Sequence, residues 1–157
     1  MTPEIYNDKR FGINQNHISK NALNIISKLH KSGFEAYIVG GGIRDMIKGL
    51  KPKDFDIVTN CEPEEIRKIF RNSRIIGRRF KLVHIAFVDE IIEATTFRAG
   101  GTNTTESIEI NEKGRIVRDN NWGTQEEDVL RRDLTINSIY YDPCLLYTSP
   151  SPRDNTT

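Results

Sequence analysis

The sequence predicts an α/β (α+β) domain, and three observations carry that expectation. Apolar residues recur at helical spacing in one segment, at Ile18, Ala22, Ile25, Ile26 and Leu29. A strand, a glycine turn, a short helix and a second strand then follow, in Tyr37-Ile-Val-Gly-Gly-Gly-Ile-Arg-Asp45 and Lys53-Asp-Phe-Asp-Ile57. Two further apolar runs, 82–88 and 91–97, flank Asp89-Glu90 and read as a hairpin. At 157 residues the chain supports one domain, or one domain and a tail.

Residues 1–17 are polar and aperiodic and are expected to form a loosely held arm. Ser19 is a natural cap for a helix reaching to about residue 32, and Gly33 is its expected stop. The Ile/Leu stripe of this helix is core, packed on a sheet. Residues 34–39 form the first strand, Gly40-Gly41-Gly42 the turn, and 43–48 a two-turn helix closed by Gly49. Lys51-Pro52-Lys53 leads into the second strand. Asp54 and Asp56 are two apart, which on a strand places both carboxylates on one face about 7 Å from each other.

Pro63 with Glu64 and Glu65 opens a helix to about residue 70, buried through Ile66, Ile69 and Phe70. Residues 74–77 suggest a short strand before the hairpin. On the return strand, Glu93 and Thr95 share a face. Glu93 either looks toward the Asp54/Asp56 site or is a paired carboxylate at the sheet surface. Gly100-Gly101-Thr-Asn-Thr-Thr105 begins a loop of about twenty residues without a strong pattern, a length that marks function or disorder. Thr124-Gln-Glu-Glu127 is a capping box that starts a helix carrying Asp128, Arg131, Arg132 and Asp133. Residues 135–141 continue as helix or change to strand. The Pro/Ser-rich end, Leu145-Leu-Tyr-Thr-Ser-Pro-Ser-Pro-Arg-Asp-Asn-Thr-Thr157, reads as disordered. It also resembles translated sequencing-adapter sequence. The expectation is that the natural protein continues differently after about Asp142. The divisions are thus an arm at 1–17, a domain at 18–142 and a tail at 143–157.

Net charge is +1 and 36 % of residues are apolar, which fits a soluble globular protein. No apolar run approaches the roughly 18 residues of a membrane span. The N-terminus lacks the basic-then-apolar pattern of a signal peptide. A cytoplasmic, membrane-free protein is expected, and a monomer. Cys61 and Cys144 have no metal-ligand spacing and read as free thiols, which argues against structural zinc. Charge is unevenly spread. Residues 66–82 hold seven basic side chains (Arg67, Lys68, Arg71, Arg74, Arg78, Arg79, Lys81) and no acidic one. Such a block fits either a polyanionic partner or a solvated helix face and turn.

The chemistry concentrates at the glycine turn. Two carboxylates on one face, beside glycines and Arg44, suit a divalent cation holding a triphosphate. Mg²⁺ is bound by one or two carboxylates plus substrate phosphate oxygens. Glycines let backbone N–H groups approach phosphates. Asp45 either bonds the turn or positions Arg44. D-x-D alone fits an acidic turn and Gly-Gly-Gly alone a flexible loop; together, in this order, they are far more specific.

These residues resemble the catalytic head of the polymerase-β-type nucleotidyltransferases, and more narrowly the bacterial poly(A) polymerase and CCA-adding tRNA nucleotidyltransferase family. Val39-Gly-Gly-Gly-Ile-Arg-Asp45 with Asp54-Phe-Asp56 resembles the family's first motif, and Arg131-Arg-Asp-Leu-Thr-Ile-Asn137 its second. The poly(A) polymerase branch is favoured by Arg74-Ile-Ile-Gly-Arg-Arg-Phe-Lys-Leu-Val-His84 and by Asp119-Asn-Asn-Trp-Gly-Thr-Gln-Glu-Glu-Asp128. The resemblance implies a small mixed sheet with helices packed on one side. It implies template-independent addition of AMP from ATP to RNA 3′ ends, whether of mRNA or of other transcripts. Asp54 and Asp56 would bind two Mg²⁺ ions, and Asp133 would be the third carboxylate. Gly41, Gly42, Arg44, Arg132 and Asn137 would hold the nucleotide, with Arg131 structural. Arg78, Arg79 and Lys81 would track the RNA backbone. The rival reading within the family is CCA addition to tRNA; the rival outside it is a non-catalytic nucleotide- or RNA-binding module. Nothing after Asn137 resembles the family's base-reading neck, so weak or absent activity is expected of this chain alone.

Overall fold

The computed structural model describes residues 12–98, 108–110, 116–119, 122–130 and 139–143. Within them a five-stranded mixed sheet is built from β1 (Ala36–Val39), β2 (Asp56–Thr59), β3 (Ser73–Ile76), β4 (Leu82–Ala86) and β5 (Ile91–Thr96). Its order is β1-β2-β5-β4-β3. β2 runs parallel to β5, and every other neighbouring pair is antiparallel.

Strand alternation gives the sheet two different faces. On one, Ala36, Ile38, Ile57, Val83, Ile85, Ile92 and Ala94 are buried in the main core. That face receives α1 (Lys20–Lys31), α2 (Gly41–Ile47) and α3 (Pro63–Ile69) through Ala22, Ile25, Ile26 and Leu29, then Ile43 and Met46, then Ile66. These three helices therefore pack on one side, as expected. Ser19 caps α1 by accepting from the Ala22 N–H at 3.3 Å. Ser19 also bonds the Glu90 carboxylate in the hairpin turn, which ties the start of α1 to the sheet. Pro63 occupies the first turn of α3, as the sequence indicated.

The other face carries a smaller cluster of Val39, Val58 and Phe97, with Tyr37 and Tyr140 packed against it. Residues 139–143 close the free edge of β1: the Ile38 N–H donates to the Tyr141 carbonyl at 2.8 Å, and Tyr141 returns the bond at 2.9 Å. An edge covered in this way is not open to another chain. This extended pairing decides part of the open choice over 135–141; residues 131–138 lie outside the described residues.

Three expectations change. The patternless loop contains a two-stranded antiparallel sheet, β6 (Ile108–Ile110) with β7 (Ile116–Asp119). Strands this short fall below what periodicity can resolve. The last residues of the expected arm include a 3₁₀ turn, Gln15–His17, with Ile13 packed on the core. Asp54 lies before β2 rather than in it. β1 ends at Val39, which pairs with Asp56, and Gly40 then turns the chain into α2. No partner strand remains for Asp54 on that side. The tail, with Cys144, lies outside the described residues. Among the described residues, no helix is long and apolar enough to cross a membrane.

Candidate active site

The glycine turn and the two aspartates meet at the end of β1 and the start of β2. α2 begins at Gly41, earlier than the sequence indicated, with Gly40 as its cap. Gly41 and Gly42 thus lie in the first helical turn. Gly42 is buried, and a Cβ there would stand 3.1 Å from the Asp54 carbonyl oxygen and 3.8 Å from Phe55 and Pro52. A Cβ on Gly40 would lie 3.5 Å from Oδ2 of Asp56. The glycines are what lets the helix start settle between the two aspartates. Arg44 folds back toward them: its Nη2 is 3.4 Å from the Cβ position of Gly41, and its Nε is 3.8 Å from Asp45 Oδ1. Asp45 therefore sits beside Arg44, the second of the two roles open to it. Asp54, Asp56 and Arg44 are all exposed.

Sheet register adds a residue to this group. Asp56 is the Cα partner of Val39 on one side and of Glu93 on the other. Glu93 is the partner of His84, and His84 of Arg74. Directly paired residues share a face. One row therefore crosses the face opposite α1, α2 and α3, in the order Val39, Asp56, Glu93, His84, Arg74. Glu93 is the Cα register partner of Asp56, and its carboxylate contacts His84, with Oε2 3.7 Å from Nε2. Sequence alternation put Glu93 on a face with Thr95, but only the parallel β2–β5 pairing shows which face that is.

The donor set is all oxygen and suits Mg²⁺. Among the described residues, no group of three or more His, Cys, Asp or Glu side chains already converges as a metal site. Asp54 and Asp56 are exposed oxygen donors beside the glycine turn. Asp133, Arg132, Asn137 and Arg131 lie outside the described residues.

The basic turn is built on Gly77. Its φ is +97°, and a Cβ there would fall 2.1 Å from the Phe80 carbonyl oxygen, so only glycine fits. Arg79 lies over the Phe80 ring at 5.0 Å, and Arg98 over the same ring at 4.3 Å. Lys81 Nζ is 3.8 Å from Glu64. Arg78 and Arg79 are exposed; Lys81 is half-buried.

Sequence reasoning gave Asp128 no role. It is fully buried in α4 (Gln125–Leu130). Its Oδ1 accepts from the Arg98 backbone N–H at 3.2 Å and its Oδ2 from the Tyr140 hydroxyl at 2.5 Å. The signal available was an acid inside an otherwise ordinary capping-box helix, which does not mark burial. The capping box itself is present: the Glu127 N–H donates to Thr124 Oγ1, and the Thr124 N–H to Glu127 Oε1, both at 3.3 Å.

The mixed sheet with three helices on one face is shared with solved proteins of the polymerase-β nucleotidyltransferase fold. The CCA-adding enzyme of Bacillus stearothermophilus, solved with CTP, superposes with a TM-score of 0.59 at 34 % identity, over 77 % of this chain and 27 % of that one. A CCA-adding enzyme in an apo form shares the fold at a TM-score of 0.62. The poly(A) polymerase head-domain family matches residues 36–149, and the chain belongs to it. Poly(A) polymerase I of Haemophilus influenzae is 51 % identical over 138 residues, 85 % of this chain and 30 % of that protein. Poly(A) polymerase I of Salmonella typhi is 48 % identical over 136 residues, 85 % of this chain and 29 % of that protein. The CCA-adding enzyme of Listeria monocytogenes is 36 % identical over 127 residues, 81 % of this chain and 30 % of that protein. The chain thus spans under a third of the length of these relatives.

Proposed function

We propose that this chain is the catalytic head of a template-independent nucleotidyltransferase that transfers AMP from ATP to RNA 3′ ends. One observation supports the reading: the glycine turn packs against the Asp54 backbone and the Asp56 carboxylate, and the sheet register sets Glu93 next to Asp56. The choice of AMP rests on the greater identity to poly(A) polymerase I than to CCA-adding enzymes.

Asp54 and Asp56 would hold Mg²⁺, with Glu93 beside Asp56 as a third carboxylate. When bound, such a cation would supply positive charge that favours loss of the primer 3′-hydroxyl proton and offsets charge on the triphosphate and the leaving pyrophosphate. Gly41 and Gly42 give the triphosphate close access to the chain, and Arg44 supplies positive charge there. Asp56, with Glu93 beside it in register, would help place the 3′-hydroxyl for attack on the α-phosphorus. Arg132, Asp133 and Asn137 would contact phosphate and sugar. Arg78 and Arg79 offer charge to the RNA backbone. Lys81 does so less readily, since Glu64 competes for it.

The test is extension of a labelled RNA primer with Mg²⁺ and each nucleoside triphosphate in turn, at high protein concentration. Slow repeated addition with ATP alone, absent in Asp56→Ala, is the expected result. CTP-dependent addition of one or two residues would favour CCA addition, which the structural likeness to an enzyme solved with CTP keeps as the second reading.

A further inference from the structure

The carboxylate row does not end at Glu93. Register carries it across β4 and β3 to His84 and Arg74, on the face opposite α1, α2 and α3. β3 is an edge strand of the sheet. Arg74 is exposed there, and its guanidinium has no ion-pair partner among the described residues. Elsewhere in the basic block, Lys68 pairs with Glu65 and Lys81 with Glu64. His84 is engaged by Glu93, which leaves Arg74 as the positive end of a row that has Asp56 toward its other end. Neighbouring strands lie about 4.8 Å apart, so three steps separate Arg74 from Asp56 by about 14 Å.

A second row runs beside the first. Leu82 and Ile76 are register partners, two residues along from His84 and Arg74 and therefore on the same face. Both are half-buried, and neither joins the two apolar clusters of the fold. Packing on this face gathers instead at Val39, Val58 and Phe97. Beyond Leu82, Phe80 is 37 % exposed, with Arg79 and Arg98 over its ring. The β3–β4 half of the face thus presents a charged row and an apolar strip about 7 Å apart. A single-stranded nucleic acid has the same two sides, phosphates along one and base faces along the other.

We infer that the β3–β4 half of this face is the track on which the RNA primer lies, with Arg74 holding a backbone phosphate and with Ile76 and Leu82 beneath the bases. The inference rests on the proposed function, which puts the primer's 3′ end at Asp56. From there the strand runs across β5 and β4 and leaves over β3. At about 3.4 Å per stacked nucleotide, about 14 Å sets Arg74 at the phosphate about four nucleotides back from the 3′ end. The signs of the row also set direction. Phosphates are drawn to the Arg74 end, and only the uncharged 3′-hydroxyl comes up to the carboxylates.

The test measures binding of a short labelled single-stranded RNA to the whole chain by fluorescence anisotropy across a salt series, for the wild type, Arg74→Gln, Ile76→Thr and Arg67→Gln. Arg67 is also exposed but belongs to α3, on the opposite face. ATP binding with Mg²⁺ is titrated in parallel, and melting curves verify that each protein is folded. Arg74→Gln is expected to raise the RNA Kd about fivefold and to lower the slope of log affinity against log salt by about 0.7, the share of one phosphate. Ile76→Thr should raise the Kd with the slope unchanged, and Arg67→Gln should change neither. ATP affinity should be the same in all four proteins. A single uncharged phosphonate linkage about four nucleotides from the 3′ end should weaken wild-type binding and add nothing to the loss in Arg74→Gln. No RNA binding by the wild type, unmoved affinity in Arg74→Gln or Ile76→Thr, or an equal loss in Arg67→Gln overturns the track. So does self-association of Arg74→Gln with RNA affinity intact, the sign of a charge that only guards the β3 edge. A wild type that binds no ATP with Mg²⁺, while its RNA binding follows Arg74, would instead overturn the proposed function and leave an RNA-binding face.

Discussion

Gly42 leaves only tight room for a side chain, and its substitution separates packing from function. Alanine is favoured over glycine in a helix by up to about 1 kcal/mol. Here that gain is opposed by a Cβ placed 3.1 Å from the Asp54 carbonyl oxygen. Gly42→Ala is expected to change stability in urea by less than about 1 kcal/mol yet to weaken Mg²⁺-dependent ATP binding, because relief of the contact displaces Asp54. Unchanged ATP affinity by calorimetry would count against the placement of Asp54. Cys61 gives a prediction in pH. Burial, then the charges of Glu65 and Glu62, push its thiol from 9.0 up to about 12. The folded state therefore keeps the proton while the unfolded chain loses it. Stability from this group is complete below pH 9.0 and declines as pH rises toward about 12. Cys61→Ala is expected to flatten that decline in urea titrations across this window. It should also identify Cys61 as a thiol that alkylating agents leave untouched in native protein at pH 8, since the thiolate is the reactive form. The sequence showed Cys61 outside any ligand pattern, but its burial depends on how the end of β2 meets α3.

The tight elements of this fold rest on local chemistry that can be removed one group at a time. Gly77→Ala meets both a φ of +97° and a backbone oxygen at 2.1 Å, so the turn must rebuild. The expected cost is on the order of 1–3 kcal/mol, with loss of the Arg79 and Arg98 stacks on Phe80; an unchanged denaturation midpoint would contradict it. Thr124→Ala removes one half of a reciprocal cap and is expected to cost about 1 kcal/mol. Glu127→Gln should cost less, since an amide oxygen still accepts from the Thr124 N–H. Local signals of this kind were readable in the sequence: Ser19, Gly33, Pro63 and the Thr124 box all mark the boundaries where they were expected. The start of α2 was not, because Gly41 and Gly42 look like loop residues until the Asp54 backbone is seen packed against them. β6 and β7 were missed because three or four residues cannot establish a period of two.

At the scale of the whole molecule, the sheet divides labour between its faces. One binds α1, α2 and α3 and holds the core; the other carries a polar row from Arg74 to Asp56. If RNA reaches Asp56 past the basic turn, its affinity falls with salt. Replacing Arg78, Arg79 and Lys81 together is expected to reduce the slope of log affinity against log salt by about 2, given roughly 0.7 per phosphate contact for a single strand. An unchanged slope would show that RNA takes another path. The fold class and the pairing of the glycine turn with Asp54 and Asp56 were legible because their signals lie close together in the chain. The place of Glu93 was not, since it depends on a parallel pairing between strands 37 residues apart at Asp56 and Glu93. Asp128 was hidden for the same reason: its partners are 30 residues back and 12 ahead. The central claim is that Asp54, Asp56 and Glu93 make one site with the glycine turn. Calorimetric titration of ATP into the wild type, Asp56→Ala and Glu93→Gln, each with and without Mg²⁺, tests it most directly. The expected result is binding that requires Mg²⁺ in the wild type, is lost in Asp56→Ala and is weakened at least tenfold in Glu93→Gln. Equal binding in all three proteins, indifferent to Mg²⁺, would show that the carboxylates do not form the site.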